Sequence, residues 1–293
     1  MRRRDVIRCG VAAAGGAWLG FEPLATLATT PARRAPKRAQ DQVVLGRTGI
    51  RVSRLAQGTG TRGVGKSSNQ IRRLGDRGLA DLLVAGVDHG LTFWDLADQY
   101  GSHPHARLAL RTVPRDRVVI LTKTHASTEA EMRADLDRFR REIGTDYLDI
   151  VLLHCMTHAD WPRDKAGAMA VLADAKTRGV VRAHGVSCHD LGALKTAARS
   201  DWVDVDLARL NPAGIAMDAR PELVLPVLRE IKRAGKGVIG MKILGEGRLR
   251  HRIDEALAFA LAQDVLDAFT IGAESLDELR DLLDRIPAAS LRD

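Results

Sequence analysis

From residue 43 onward, short apolar runs alternate eight times with amphipathic helical stretches, and this alternation limits the fold more than any other feature. The runs are SRLAQGT, LTFWDL, RVVILTK, YLDIVLLH, VRAHGVS, VDVDLARLN, GVIGMKI and LDAFTIG. Between them lie helical stretches such as EMRADLDRFRREIG, AGAMAVLADAKTRG, PELVLPVLREIKRAG and DEALAFALAQ. Helices of this kind end at Gly144, Gly179 and Gly235, the residue best able to adopt the left-handed backbone that stops a helix. The last stretch, SLDELRDLLDRI, opens with Ser275 and, three residues on, Glu278, which is a capping box. Strands separated by helices cannot pair as hairpins, so they run parallel under a helical cover. One strand plus its helix takes about 30 residues, so eight units fill the available length. The expected fold class is therefore α/β, a closed (β/α)8 TIM barrel rather than an open doubly wound sheet. Ahead of it, QVVLGRTGIRVSRL, with its GRTG turn, predicts a short N-terminal β-hairpin that closes the bottom.

The N-terminus reads differently. MRRRDVIRCGVAAAGGAWLG has a basic start, a weakly apolar Ala/Gly run and then small residues, the layout of a secretory leader. Arg3-Arg4-Asp5-Val6-Ile7 resembles the twin-arginine export signal. The expected organisation is a signal peptide at 1–28, a flexible linker at 29–42 and a catalytic barrel at 43–293. Export implies a periplasmic protein that engages the export machinery and, in the mature chain, no integral membrane segment. A net charge of +8 suggests nucleic acid until it is located. The first 42 residues hold eight Lys and Arg against three acidic residues, leaving about +3 for all the rest. The body has no basic stripe, so nucleic-acid binding is not expected. Three cysteines, Cys9, Cys155 and Cys188, are too few for a disulfide framework.

A barrel places function at the C-terminal ends of its strands. Those ends carry Asp95, Lys123, His154, Ser187, Asn211 and Lys242. Four side chains there make one chemical unit. Tyr100 offers a phenolic proton, too weakly acidic alone for work near neutrality. Lys123, on the neighbouring strand, can lower that pKa, and Asp95 can hold Lys123 charged. His154 can orient a substrate oxygen. Such a set suits reduction of a carbonyl, with a proton delivered to oxygen as hydride reaches carbon.

These residues carry a resemblance. FWDLADQYG, VVILTKTH, YLDIVLLHCM and VRAHGVSCH resemble segments of the aldo-keto reductase family, as do LNP at 210–212 and GVIGMKILGEG at 237–247. The resemblance covers about residues 43–290. It implies catalytic roles for Asp95, Tyr100, Lys123 and His154. It further implies a nicotinamide cofactor bound extended without a glycine fingerprint, NADPH with NADH as the alternative. Cofactor contacts are expected from Ser187, Cys188, Asn211, Met241, Lys242, Gly272, Ser275 and Arg280. The substrate would be a small aldehyde or ketone, and the protein a monomer. The pattern departs from the family at Cys188, where asparagine is usual, at Leu207, where glutamine is common, and at Glu274, near where a 2′-phosphate is read.

Those departures leave a redox-inactive binding protein as one alternative. Gly60-x4-Gly65-Lys66-Ser67 matches the phosphate-cradling loop of nucleotide hydrolases and is a second. A metal-dependent barrel hydrolase is the third, with His103, His105, His125, His154, His158 and His189 as candidate ligands. Cys155 and Cys188 are expected to be small apolar fillers, with Cys188, between Ser187 and His189, the more reactive of the two.

Overall fold

A computed structural model describes residues 35–292. The leader and the first part of the linker lie outside the described residues. A hairpin of β1 (Gln42–Val44) and β2 (Arg51–Ser53) precedes the barrel. The barrel strands are β3 (Leu55–Gly58), β4 (Phe93–Asp95), β5 (Val119–Thr124) and β6 (Leu148–Met156), followed by β7 (Val181–Cys188), β8 (Val205–Arg209), β9 (Gly237–Met241) and β10 (Ala268–Ile271). They close in sequence order, β10 beside β3, and every neighbouring pair is parallel. The helices that cover them are α1 (Asn69–Asp88), α2 (His103–Ala109), α3 (Glu129–Ile143), α4 (Trp161–Asp164), α5 (Ala166–Thr177), α6 (Leu191–Arg199), α7 (Pro221–Arg233), α8 (Ile253–Ala262) and α9 (Leu276–Ala289).

Period-two alternation sorts each strand's side chains between two cores. Phe93, Leu121, Ile150, Leu152, Val205 and Ile239 fill the barrel. Trp94, Ile120, Val151 and Leu153 turn outward against Leu83, Phe139 and Leu172 on the helices. The expected hairpin closes the bottom by adding Leu45, Ile50 and Val52 to the inner cluster. Its turn fits closely: Arg47 N donates to Gly235 O at 2.7 Å. A Cβ on Gly46 (φ +48) would stand 2.4 Å from Gly237 N, so this turn requires glycine.

Gly144, Gly179 and Gly235 follow α3, α5 and α7 with φ of 79°, 74° and 75°. Ser275 caps α9, its Oγ accepting from Glu278 N at 3.1 Å. The Glu278 carboxylate accepts from Glu274 N at 2.7 Å, one residue earlier than the expected box. Residues 37–41, expected within a flexible linker, are held to the barrel instead. Ala39 is fully buried, Leu55 N donates to Ala39 O at 2.9 Å, and Lys37 N donates to Ser290 Oγ at 2.9 Å. The apolar side chain at 39 seats under the barrel, which composition dominated by Pro and Arg concealed. Among the described residues, no helix is long and apolar enough to cross a membrane.

Candidate active site

The mouth is built on the last residues of β4, β5 and β6. Phe93 points into the barrel and Trp94 into the helix layer, so Asp95 comes round to the barrel axis. It is 6% exposed, and its Oδ1 accepts from Lys123 Nζ. Its Oδ2 accepts from Thr270 Oγ1 of β10 at 2.8 Å. Lys123, 1% exposed, also donates to Leu96 O at 2.8 Å. Burial alone would pull the ammonium down, but Asp95 and then Tyr100 outweigh it, and the Lys123 pKa stands above the ordinary lysine value.

Tyr100 ends a 3-10 turn, Asp98–Tyr100, that Gly101 closes in the left-handed region at φ 70°. Lys123 Nζ lies 4.8 Å from the centroid of its ring. The loop 60–66 packs against the ring and covers it. A Cβ on Gly60 or Gly63 would approach the Tyr100 ring to 2.2 or 2.3 Å, which explains the glycines there. This cover changes the expected electrostatics. Burial raises the Tyr100 pKa, Lys123 lowers it in part, and the net shift is upward. In this protein Lys123 limits the rise rather than making the phenol a strong acid.

His154 on β6 meets the Tyr100 ring edge-on at 5.6 Å and stacks on His125 at 4.8 Å. Its Nδ1 is buried without a hydrogen-bond partner. Burial, then the charge of Lys123, hold its pKa well below 6.5, so the ring is neutral at pH 7. The register of β6 against β7 shifts between Leu153 and Met156, and Cys155 has φ 66°. This bulge re-aims the chain beside the site. Cys155 N donates to Ser187 Oγ at 2.9 Å, and Cys155 Sγ lies 3.1 Å from His189 Nδ1.

A cleft of about 420 Å³ leads from Asp95 and Tyr100 across β8, β9 and β10 towards α1 and α9. Its inner wall is Leu207 and Met241. Lys242 stands next, ion-paired with Glu246. Leu244, Ile253 and Leu282 form an apolar stretch further out, rimmed by Arg73 and Arg250 and by Glu274, Glu278 and Asp281.

The eight residues expected to touch a cofactor separate accordingly. Met241, Lys242 and Gly272 line the cleft. Ser187 is 1% exposed at the mouth and holds the β6 bulge. Asn211 is fully buried as a staple, its Nδ2 donating to Ile215 O and Lys242 O at 2.8 and 3.1 Å. Ser275 is committed to its cap. Arg280 does not face the cleft: its side chain is 56% exposed beside Asp277. Cys188 is also displaced. Alternation along β7 turns it into the helix layer, where burial pushes its thiol pKa well above 9. The more accessible thiol is Cys155. The motifs gave no hint of Arg73 and Arg250, because α1 and the loop after β9 bring them to the cleft by long-range packing.

The phosphate-loop match has the wrong geometry. Helix α1 starts after the N-cap Ser68, not at Lys66-Ser67. Lys66 N donates to Gln99 O at 2.9 Å, its ammonium pairs with Asp98, and the loop serves as the cover of Tyr100. The histidines are not one cluster either. His103 bonds Glu142 and Thr122 at 2.7 Å each, His105 faces Asp76 at 3.2 Å, and His158 pairs with Asp164 at 3.3 Å. Asp98, His103 and Glu142 do approach one another, but Lys66 and Arg138 bind those carboxylates.

Residues 56–260 match the model of the aldo/keto reductase family. The chain belongs to that family. It is 26% identical over 227 residues to a D-threo-aldose 1-dehydrogenase of Pseudomonas sp, covering 66% of this chain and 67% of that one. It is 25% identical over 217 residues to an NADH-specific methylglyoxal reductase of Escherichia coli (strain K12), covering 64% of each. Among solved structures, a proposed aldo-keto reductase from Pseudomonas aeruginosa superposes with a TM-score of 0.70 at 22% identity, over 86% of this chain and 97% of the other. A holo aldo-keto reductase of Bacillus halodurans gives 0.66 at 20% identity, over 84% and 90%. In this member of the family, the Asp, Tyr, Lys and His of the sequence motifs stand together at one end of the cleft.

Proposed function

We propose that the protein reduces an aldehyde or ketone to an alcohol with NAD(P)H. The observation that carries this reading is the convergence of Tyr100, Lys123, Asp95 and His154 at the inner end of an elongated cleft. The cleft suits a dinucleotide: its mouth end is apolar at Leu207 and Met241, a lysine stands at its middle, and an apolar stretch with two arginines lies beyond. Its volume is in the range of sites for small molecules and cofactors. When bound, the reduced nicotinamide would supply hydride to the carbonyl carbon. Tyr100 donates the proton to the carbonyl oxygen. Its raised pKa keeps it protonated at neutral pH, and Lys123 steadies the phenolate left behind. His154, neutral, hydrogen-bonds the same oxygen and orients it.

NADPH is what the resemblance implies; we read NADH as the cofactor instead, on the acidic groups of the cleft. Glu274 accepts from Arg73 at 2.5 Å and from Asn69 at 2.8 Å, so the Arg73 cation is already paired. With Glu278 and Asp281 also lining the cleft, a 2′-phosphate would face like charges. Titrating purified protein with NADH and NADPH, following nicotinamide fluorescence, tests both points. Micromolar binding with NADH the tighter is expected, and no binding of either would overturn the reductase reading. We further read the leader as directing a monomer to the periplasm; Arg3→Lys with Arg4→Lys should then retain it in the cytoplasm on cell fractionation.

A further inference from the structure

Arg209 ends β8 on the barrel side. Leu207 and Val205, two and four residues before it, are inner-core residues, so alternation brings Arg209 inward at the mouth, in register with Met241 of β9. Its side chain is 13% exposed. Nε donates to Asp218 Oδ1 at 2.6 Å, and the Asp218 side chain is fully buried. That carboxylate fixes the guanidinium from behind. Four N–H donors on the two terminal nitrogens then have no partner among the described residues.

The free end lies outside the lining of the cleft. Leu207 and Met241 line the cofactor cleft, whereas Arg209 does not. Its charge is felt at Cys155 on β6 and at His189 just after β7, as well as at Glu246 on the near rim of the cleft. The other charged groups around it are already engaged: Lys242 pairs with Glu246, and Asp218 with Arg209 itself. A planar cation held by a buried acid, with its fork unfilled, is suited to a carboxylate or a phosphate.

We propose that Arg209 reads an anionic group, a carboxylate or a phosphate, on the carbonyl substrate, while Tyr100 and His154 take the carbonyl oxygen. The proposal rests on the reductase reading for the carbonyl end only; anion binding by Arg209 is independent of turnover.

The test therefore has two parts. First, binding of butanoate and of inorganic phosphate to the cofactor-free protein is followed by calorimetry. Weak saturable binding that falls roughly 10- to 100-fold in Arg209→Met is expected. The larger effect of the two identifies the anion, and equal binding of both to wild type and variant overturns the proposal. Second, kcat/KM is compared for 4-oxobutanoate against butanal and for glyceraldehyde 3-phosphate against glyceraldehyde. The charged member should be preferred in one pair, through KM, and the preference should fall roughly 10- to 100-fold in Arg209→Met. A raised Kd for NADH with unchanged selectivity would assign Arg209 to the cofactor and overturn the proposal. Arg209→Met leaves Asp218 buried and unpaired, so Arg209→Met/Asp218→Asn is made alongside it to keep the fold. Absence of turnover with every aldehyde, with anion binding intact, would sink the reductase reading and leave Arg209 as an anion site.

Discussion

Lys123 is an ammonium with 1% of its surface exposed, and it stays charged because Asp95 lies against it. Removing one member of a buried ion pair costs about 3–5 kcal/mol, whereas replacing both is often close to neutral. Lys123→Met should therefore lower the melting temperature markedly. The double variant Asp95→Asn/Lys123→Met should recover most of that loss and none of the activity, as thermal melts and aldehyde turnover would show. Tyr100→Phe removes only the proton donor. It should reduce kcat by roughly 10²- to 10⁴-fold with NADH binding retained, measured by steady-state kinetics and fluorescence titration. Asp95 and Lys123 were legible because each stands at the end of a strand whose apolar run is plain in the sequence, and Tyr100 because it follows Asp95 at a recognisable spacing. Arg209 ends β8 just as plainly, yet its significance depends on Asp218, nine residues away in an irregular loop. The sign of the Tyr100 shift was hidden too. It depends on how closely the loop 60–66 covers the ring, and no spacing encodes that.

The loop between β3 and α1 shows how an element acquires its sequence. Its Gly, Thr and Ser content imitates a phosphate cradle, but at Gly60 and Gly63 the Tyr100 ring leaves no room for a Cβ, and Gly65 turns the chain in the left-handed region at φ 60°. Lys66 ties the loop down through Asp98, which Arg138 of α3 also binds. Gly60→Ala should push ring and loop apart. A misplacement near 1 Å can cost on the order of 100-fold in rate, so kcat should fall at least 10-fold while the melting temperature changes by only a few degrees. An unchanged kcat would mean that the ring position is not decisive. Strands, helices and hairpin were readable from periodicity because burial on one face imposes it. The β6 bulge was not, since it is a local mismatch of register with β7.

At the scale of the whole molecule, buried titrating groups govern the response to pH. Asp206, on the outward face of β8, is fully buried with the Cys188 thiol beside it, and burial pushes its pKa up to about 8. Asp218 is raised by burial to about 6. For both, the folded state holds its proton where the unfolded chain has lost it, so stability falls as pH rises from near 4 to those values. Burial lowers His184 and His189 to about 4, and their contribution has the opposite sign: stability rises with pH from about 4 to about 6.5. Below pH 6.5 the two pairs largely offset each other. Above it only Asp206 still titrates among these four, and the slope approaches 1.4 kcal/mol per pH unit. Between pH 6.5 and 8 the fold should therefore lose about 2 kcal/mol, or roughly 4–8 °C in melting temperature. Asp206→Asn removes the proton that the folded state must give up. Its melting temperature should be flatter than wild type over that interval, with the two curves furthest apart at pH 8 and above. Parallel curves from pH 6 to 9 would mean that Asp206 ionises in the fold at its ordinary pKa, with Lys236 and the Cys188 thiol outweighing its burial.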